Sequence, residues 1–185
     1  IDVNYSLSYS GGETTIGSHG YEGSGGWPVN PGPWIDNNQT SQWITPGALA
    51  RTSFDSVAEG NGTYTWGLEF DLSGYDASSA LFNGRWAADN AGTIALNGII
   101  LNDSISTGFS SWSSFSSLGG NFNTGVNILE FTVVNYAQNT GNPTGLRVEF
   151  LDSNIDVASV PEPASLSLLG LGLAALGFSR RKKQA

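Results

Sequence analysis

The chain of 185 residues contains no cysteine and no methionine, and its single histidine is His19. Without cysteine there is no disulfide framework and no thiolate metal site, so stability has to come from a packed core. Without methionine Ile1 is not a translational start, and removal of a preceding secretory segment is the expectation. Nucleophilic catalysis is left with almost nothing: a Ser-His-Asp triad would have to use His19, and no Gly-x-Ser-x-Gly elbow occurs. No catalytic residues are therefore assigned, and the chain is expected not to be an enzyme.

Positive charge is equally scarce until the last few residues. Residues 1–163 hold all sixteen acidic side chains against only Arg51, Arg85 and Arg147, a formal charge of −13. Such a surface repels phosphates and excludes nucleic acid as a partner, whereas calcium and neutral glycans suit it. Arg180, Arg181, Lys182 and Lys183 then cluster at the C-terminus.

Helical periodicity is also missing before residue 164, and period two takes its place. In 63–72, Tyr64, Trp66, Leu68, Phe70 and Leu72 point one way while Thr65, Gly67, Glu69 and Asp71 point the other. The first nine residues alternate likewise, and 81–88, 128–135 and 146–151 read as further strands. Asn97-Gly98 within 93–101 supplies the positive backbone angles of a type I′ hairpin turn. Residues 11–46 are rich in Gly, Ser and Pro and read as one long loop, too long to be a passive connection. Short strands separated by turn signals predict an all-β fold, an antiparallel β-sandwich or jelly roll occupying residues 1–159.

The order of motifs resembles the galactose-binding-domain-like jelly rolls. It runs through Phe70-Asp-Leu-Ser-Gly-Tyr75, Gly84-Arg-Trp86, Ile94-Ala-Leu-Asn97-Gly98, Gly125-Val-Asn127-Ile-Leu129 and Gly145-Leu-Arg147-Val-Glu149-Phe150. That resemblance covers roughly residues 60–151. It implies a sandwich of the kind found in many carbohydrate-binding modules.

Residues 160–185 are organised differently. An uncharged stretch, 164–178, is followed at once by the four basic residues. As a short hydrophobic helix its fifteen residues would span roughly 22 Å, less than a usual bilayer core. A buried helix, a short membrane helix and the transient tail of a sorting signal are the alternatives. The basic stop favours insertion with residues 1–163 outside. Pro161-Glu162-Pro163, then the hydrophobic run, then Arg180, Arg181, Lys182 and Lys183, resembles the PEP-CTERM sorting signal of Gram-negative, exopolysaccharide-producing bacteria. The resemblance implies an exosortase-like membrane transpeptidase as partner. It also implies export to the cell surface or extracellular matrix, with transient or retained anchoring.

Candidate binding residues follow from side-chain chemistry. Trp34 and Trp43, in the long loop and outside any strand pattern, are candidates to stack on sugar rings, with Asn90 as a hydrogen-bonding neighbour. Asp71, Asp89 and Glu149 are candidate calcium ligands. Asp152-Ser-Asn154-Ile-Asp156 opens like a calcium loop but lacks its glycine and closing glutamate. Glu69 and Asp71 share a strand face at glycosidase-like spacing, although neighbours of that kind are usually just solvated. A secreted protein binding exopolysaccharide or calcium is the leading expectation. A self-associating surface-layer or filament protein comes next, and a glycan hydrolase last.

The sorting assignment has a direct test. Neutralising Arg180, Arg181, Lys182 and Lys183 is expected to change the ratio of processed to unprocessed protein, because they alone fix orientation. Mass spectrometry of protein from its native cells measures this. A C-terminus intact to Ala185, with and without the substitutions, would sink the assignment.

Overall fold

Ten strands make up all regular structure among the described residues, which in this computed structural model are 2–11, 16–23, 26–101, 108–117 and 120–159. In chain order they are β1 (Tyr5–Ser10), β2 (Tyr21–Glu22), β3 (Ile44–Thr45), β4 (Gly62–Asp71), β5 (Tyr75–Asp89), β6 (Ala91–Leu96), β7 (Ile99–Ile100), β8 (Ser113–Ser117), β9 (Val126–Asn135) and β10 (Gly145–Val157). They form two five-stranded antiparallel sheets, ordered β1-β4-β9-β6-β7 and β2-β3-β10-β5-β8. No described helix is long and apolar enough to cross a membrane. The expected hydrophobic helix, Pro161, Glu162, Pro163 and the basic stop all lie outside the described residues.

The core follows from strand alternation. On the first sheet Leu7, Trp66, Phe131 and Ile94 stand in register as one row across four strands. Trp86 and Phe115 of the second sheet meet that row, their rings 6.0 and 5.9 Å from Phe131. Gly84 makes this possible, since a Cβ there would stand 2.5 Å from both the Phe115 ring and the Glu149 carbonyl oxygen. A glycine in a strand interior here marks a place where another residue needs the room.

The expected strands are present, with changes at their ends. Asp2 takes the N-H of Asn4 in a turn, so the first strand begins at Tyr5. Chain also covers the outer edge of β1, through Leu7 N donating to Ser18 O (2.8 Å) and His19 Nδ1 to Tyr5 O (2.7 Å). His19, the histidine a triad would have needed, is thus a strap on an edge strand. Asn97 and Gly98 have φ of 53° and 80°, as the hairpin turn requires. Residues 11–46, expected to be one loop, contribute β2 and β3 instead, and β8 escaped notice because four of its five residues are serine.

Trp66 is fully buried whereas Phe70, near the end of the same strand, is partly exposed. Trp66→Ala is therefore expected to cost about 3 to 5 kcal/mol, and Phe70→Ala less. Chemical denaturation measures both. An unchanged stability in the Trp66 variant would mean that the faces of β4 are reversed.

Candidate functional site

The second sheet turns Arg85, Ala87, Arg147 and Glu149 away from the core, and residues 26–43 fold across that outer face. The cover begins with tight turns. Trp34 N donates to Pro28 O (3.0 Å), and a Cβ on Gly32 would fall 1.9 Å from that same oxygen, so only glycine fits. Trp34 and Trp43 are then driven inward against Val29 and Ala87, with exposures of 3% and 0% and ring centroids 4.3 Å apart. Their indole N-H groups donate to Asp89 Oδ2 and Ile35 O, both at 2.8 Å. A stacking platform for sugar needs an open ring face, and neither tryptophan has one. The expected platform is replaced by a second small core. Asn90 is structural as well, its Oδ1 accepting from Tyr136 N at 2.7 Å.

The three expected calcium ligands are not brought together. Asp71 ends β4 opposite Val126, Asp89 ends β5 opposite Gly145, and Glu149 faces Arg85 in mid-strand. Among the described residues no three acidic or histidine side chains are grouped to hold a metal. Asp71 is exposed and takes the hydroxyl and N-H of Ser73 at 2.7 and 2.8 Å, in that order of effect lowering its pKa. Glu69 lies beside it on the open outer face of the first sheet, so the pair has no cleft in which to flank a sugar.

Glu149 is committed to the protein itself. Its Oε2 receives Arg85 Nη2 (2.6 Å) and Nε (2.7 Å), and its Oε1 receives Ser41 Oγ (2.8 Å), Asn38 Nδ2 (3.1 Å) and Arg147 Nη2 (3.4 Å). Burial pushes its pKa up, but the bonds from Ser41, Arg85 and Asn38 outweigh that and leave it lowered. Arg147, fully buried, also donates to Ser41 Oγ and to the carbonyls of Ile35 and Asp36. Both guanidinium groups lie on the Trp112 ring, 4.5 and 4.8 Å from its centre.

Beside this cluster a groove of about 260 Å³ opens along the seam between the sheets. Its cause is a short strand: β3 pairs with β10 only at Leu146, so the ladder stops before Val148. Tyr5, Ile44 and Val148 supply the apolar lining. Residues 38–42 form one polar wall, and Asp2 and Glu22 complete the rim. Asn38 and Ser41 are anchored inward on Glu149, whereas the exposed side chains of Gln39, Thr40 and Gln42 make no hydrogen bond to another described residue. None of these groove residues had been singled out from sequence. The available signal was the uncharged polar run of residues 37–42, set between Trp34-Ile35-Asp36 and Trp43.

Comparison with protein families matches residues 159–182 to the PEP-CTERM protein-sorting motif. The chain carries a PEP-CTERM sorting motif. It begins one residue after Ala158, whose N-H donates to Gly74 O at 3.1 Å and closes the described backbone bonding. No curated protein is significantly similar to the chain in sequence. Among solved structures, a family 35 carbohydrate binding module from Clostridium thermocellum is 14% identical, covering 80% of this chain and 92% of that one at a TM-score of 0.31. A family 35 module from an environmental isolate is 11% identical, covering 86% and 96% at a TM-score of 0.33.

One carboxyl in the domain ahead of the PEP-CTERM motif is electrostatically unusual. Asp89 is 5% exposed, and while its Oδ2 accepts from Trp34, its Oδ1 has no hydrogen-bond partner among the described residues. Burial raises its pKa from 3.8 to about 7, opposed only by the Trp34 bond. Between those values the folded protein holds a proton that the unfolded chain releases. The cost of burying the carboxylate is thus fully present above about 7 and fades as pH falls toward the ordinary range. Stability is expected to rise by about 2 to 4 kcal/mol between roughly pH 8 and pH 5, and Asp89→Asn to flatten that slope. Urea denaturation across pH measures both. An identical slope in the variant would assign the effect to other groups.

Proposed function

We propose that this is an exported, non-catalytic protein of the bacterial surface or extracellular matrix, sorted by an exosortase-like enzyme and binding polysaccharide in the seam groove. The observation that carries the binding reading is the set of unused groups there. Gln39, Thr40 and Gln42 present amide and hydroxyl donors and acceptors to solvent above a lining that includes Tyr5, Ile44 and Val148. Sugar recognition needs that combination, since hydroxyls require hydrogen-bonding partners and the C-H faces require apolar contact. Glycoside hydrolysis additionally needs a carboxylic acid kept protonated near neutrality. The carboxyl whose pKa burial raises, Asp89, is 5% exposed and already bonded by the Trp34 indole, which withholds it from a substrate.

Self-association into a surface layer has one observation in its favour. Ile99, Ile100, Val126 and Ile128 are exposed aliphatic residues around the hairpin end of the first sheet.

Retention on the producer's exopolysaccharide, with and without a calcium chelator, tests the proposal. Gln39→Ala with Gln42→Ala is expected to weaken retention roughly tenfold, as loss of two hydrogen bonds would, at unchanged melting temperature. Full retention by this variant would remove the groove from the account. Absence of any retention, together with concentration-dependent assembly, would put the self-associating layer in its place.

A further inference from the structure

The groove has a charge character that narrows its ligand. Of its lining residues Asp2 and Glu22 are the charged ones, both acidic, and no described lysine, arginine or histidine lines it. The guanidinium groups of Arg85 and Arg147 are bound to Glu149, on which Asn38 and Ser41 are also anchored. Asp2 comes from the segment before β1 and Glu22 from β2, and the Asp2–Gly20 bridge fixes the two segments to one another. Asp2 uses Oδ1 to hold Asn4, and Glu22 makes no hydrogen bond to another described side chain, so carboxylate oxygens remain for a ligand.

Resting on the reading of this groove as the glycan site, we propose that it selects polysaccharide bearing free amino groups, such as partly de-N-acetylated hexosamine. A uronic acid polymer would bring carboxylates to two carboxylates and meet no counter-charge. A fully neutral polymer would find the hydrogen-bonding wall but leave both rim charges unanswered. An ammonium group on the sugar ring satisfies what remains: it donates up to three hydrogen bonds, and it is attracted by both carboxylates and by the negative charge of the whole domain. The amide wall and the apolar lining serve the rest of the ring in any hexosamine, so the two acidic residues determine selectivity and the wall determines affinity.

The test uses the immobilised full chain at mildly acidic pH with oligomers of glucosamine, N-acetylglucosamine, glucose and galacturonate. Glucosamine oligomers are expected to bind about tenfold tighter than the neutral ones, with a salt dependence that the neutral ones lack. The double variant Asp2→Asn, Glu22→Gln keeps an acceptor at each position. It is expected to lose this preference while retaining neutral binding, which also shows that it is folded. The control Asp152→Asn, Asp156→Asn, on the exposed far stretch of β10, is expected to keep the preference. Equal binding of glucosamine and neutral oligomers, tightest binding of galacturonate, or a preference that survives the first double variant or disappears in the control would each overturn the selectivity while leaving the groove reading standing. Binding of no oligomer at all would remove the groove reading itself.

Discussion

The buried carboxylate of Glu149 fastens the covering segment onto the outer face of the second sheet. It ties β10 to β5 through Arg85, and it receives Asn38 and Ser41 from the covering segment. Arg147, two residues earlier on the same strand, completes the cluster by gripping the carbonyls of Ile35 and Asp36. Removing one partner from a buried ion pair costs about 3 to 5 kcal/mol, because the remaining charge is stranded. The cover is therefore held chiefly by polar bonds at one end and by the Trp34–Trp43 contact at the other. The groove wall at residues 38–42 inherits its shape from the first of these.

Elsewhere in the domain, too, buried polar groups do the fastening. Asp55, at 1% exposure and φ 54°, accepts from Tyr64 Oη (2.8 Å), Asn135 Nδ2 (2.8 Å) and Tyr9 Oη (3.1 Å). It thereby links three strands of the first sheet to the chain entering β4. Gly62 gives it room, since a Cβ there would stand 2.1 Å from Asp55 Oδ1. Burial, and then the bond to Asp55, holds the Tyr64 hydroxyl far above its ordinary pKa, so it stays protonated and donates to Asp55. Asn127 does similar work at the other end, taking Asn123 N and Asn97 Nδ2 on its Oδ1. In a chain without disulfides, buried polar networks of this kind specify which loops close over which end of a sandwich.

Charge and sorting belong to opposite ends of one design. The acidic residues give residues 1–163 a negative field that repels anionic surfaces, while the basic cluster follows the hydrophobic run near the C-terminus. Because the PEP-CTERM motif starts one residue after the last described backbone bond, little free chain separates the sandwich from its sorting signal.

Much of this was legible in order along the chain. Strict alternation in β4 and β9, the Asn97-Gly98 turn and the C-terminal motif are local patterns, set by pleat geometry, by backbone angles and by linear order, so the sequence alone determined them. The candidate site was not legible, because burial of a loop residue depends on what folds over it. Trp34 and Trp43 lacked any strand period and so looked available to a ligand, yet the turns around Gly32 aim them at Ala87. Glu149 looked like a metal ligand until the fold placed Arg85 opposite it and Ser41 above it. The groove lies where β3, only two residues long, leaves one edge of β10 unpaired beyond Leu146. Such facts depend on contacts between residues about forty to more than a hundred positions apart, and only the tertiary structure decides them.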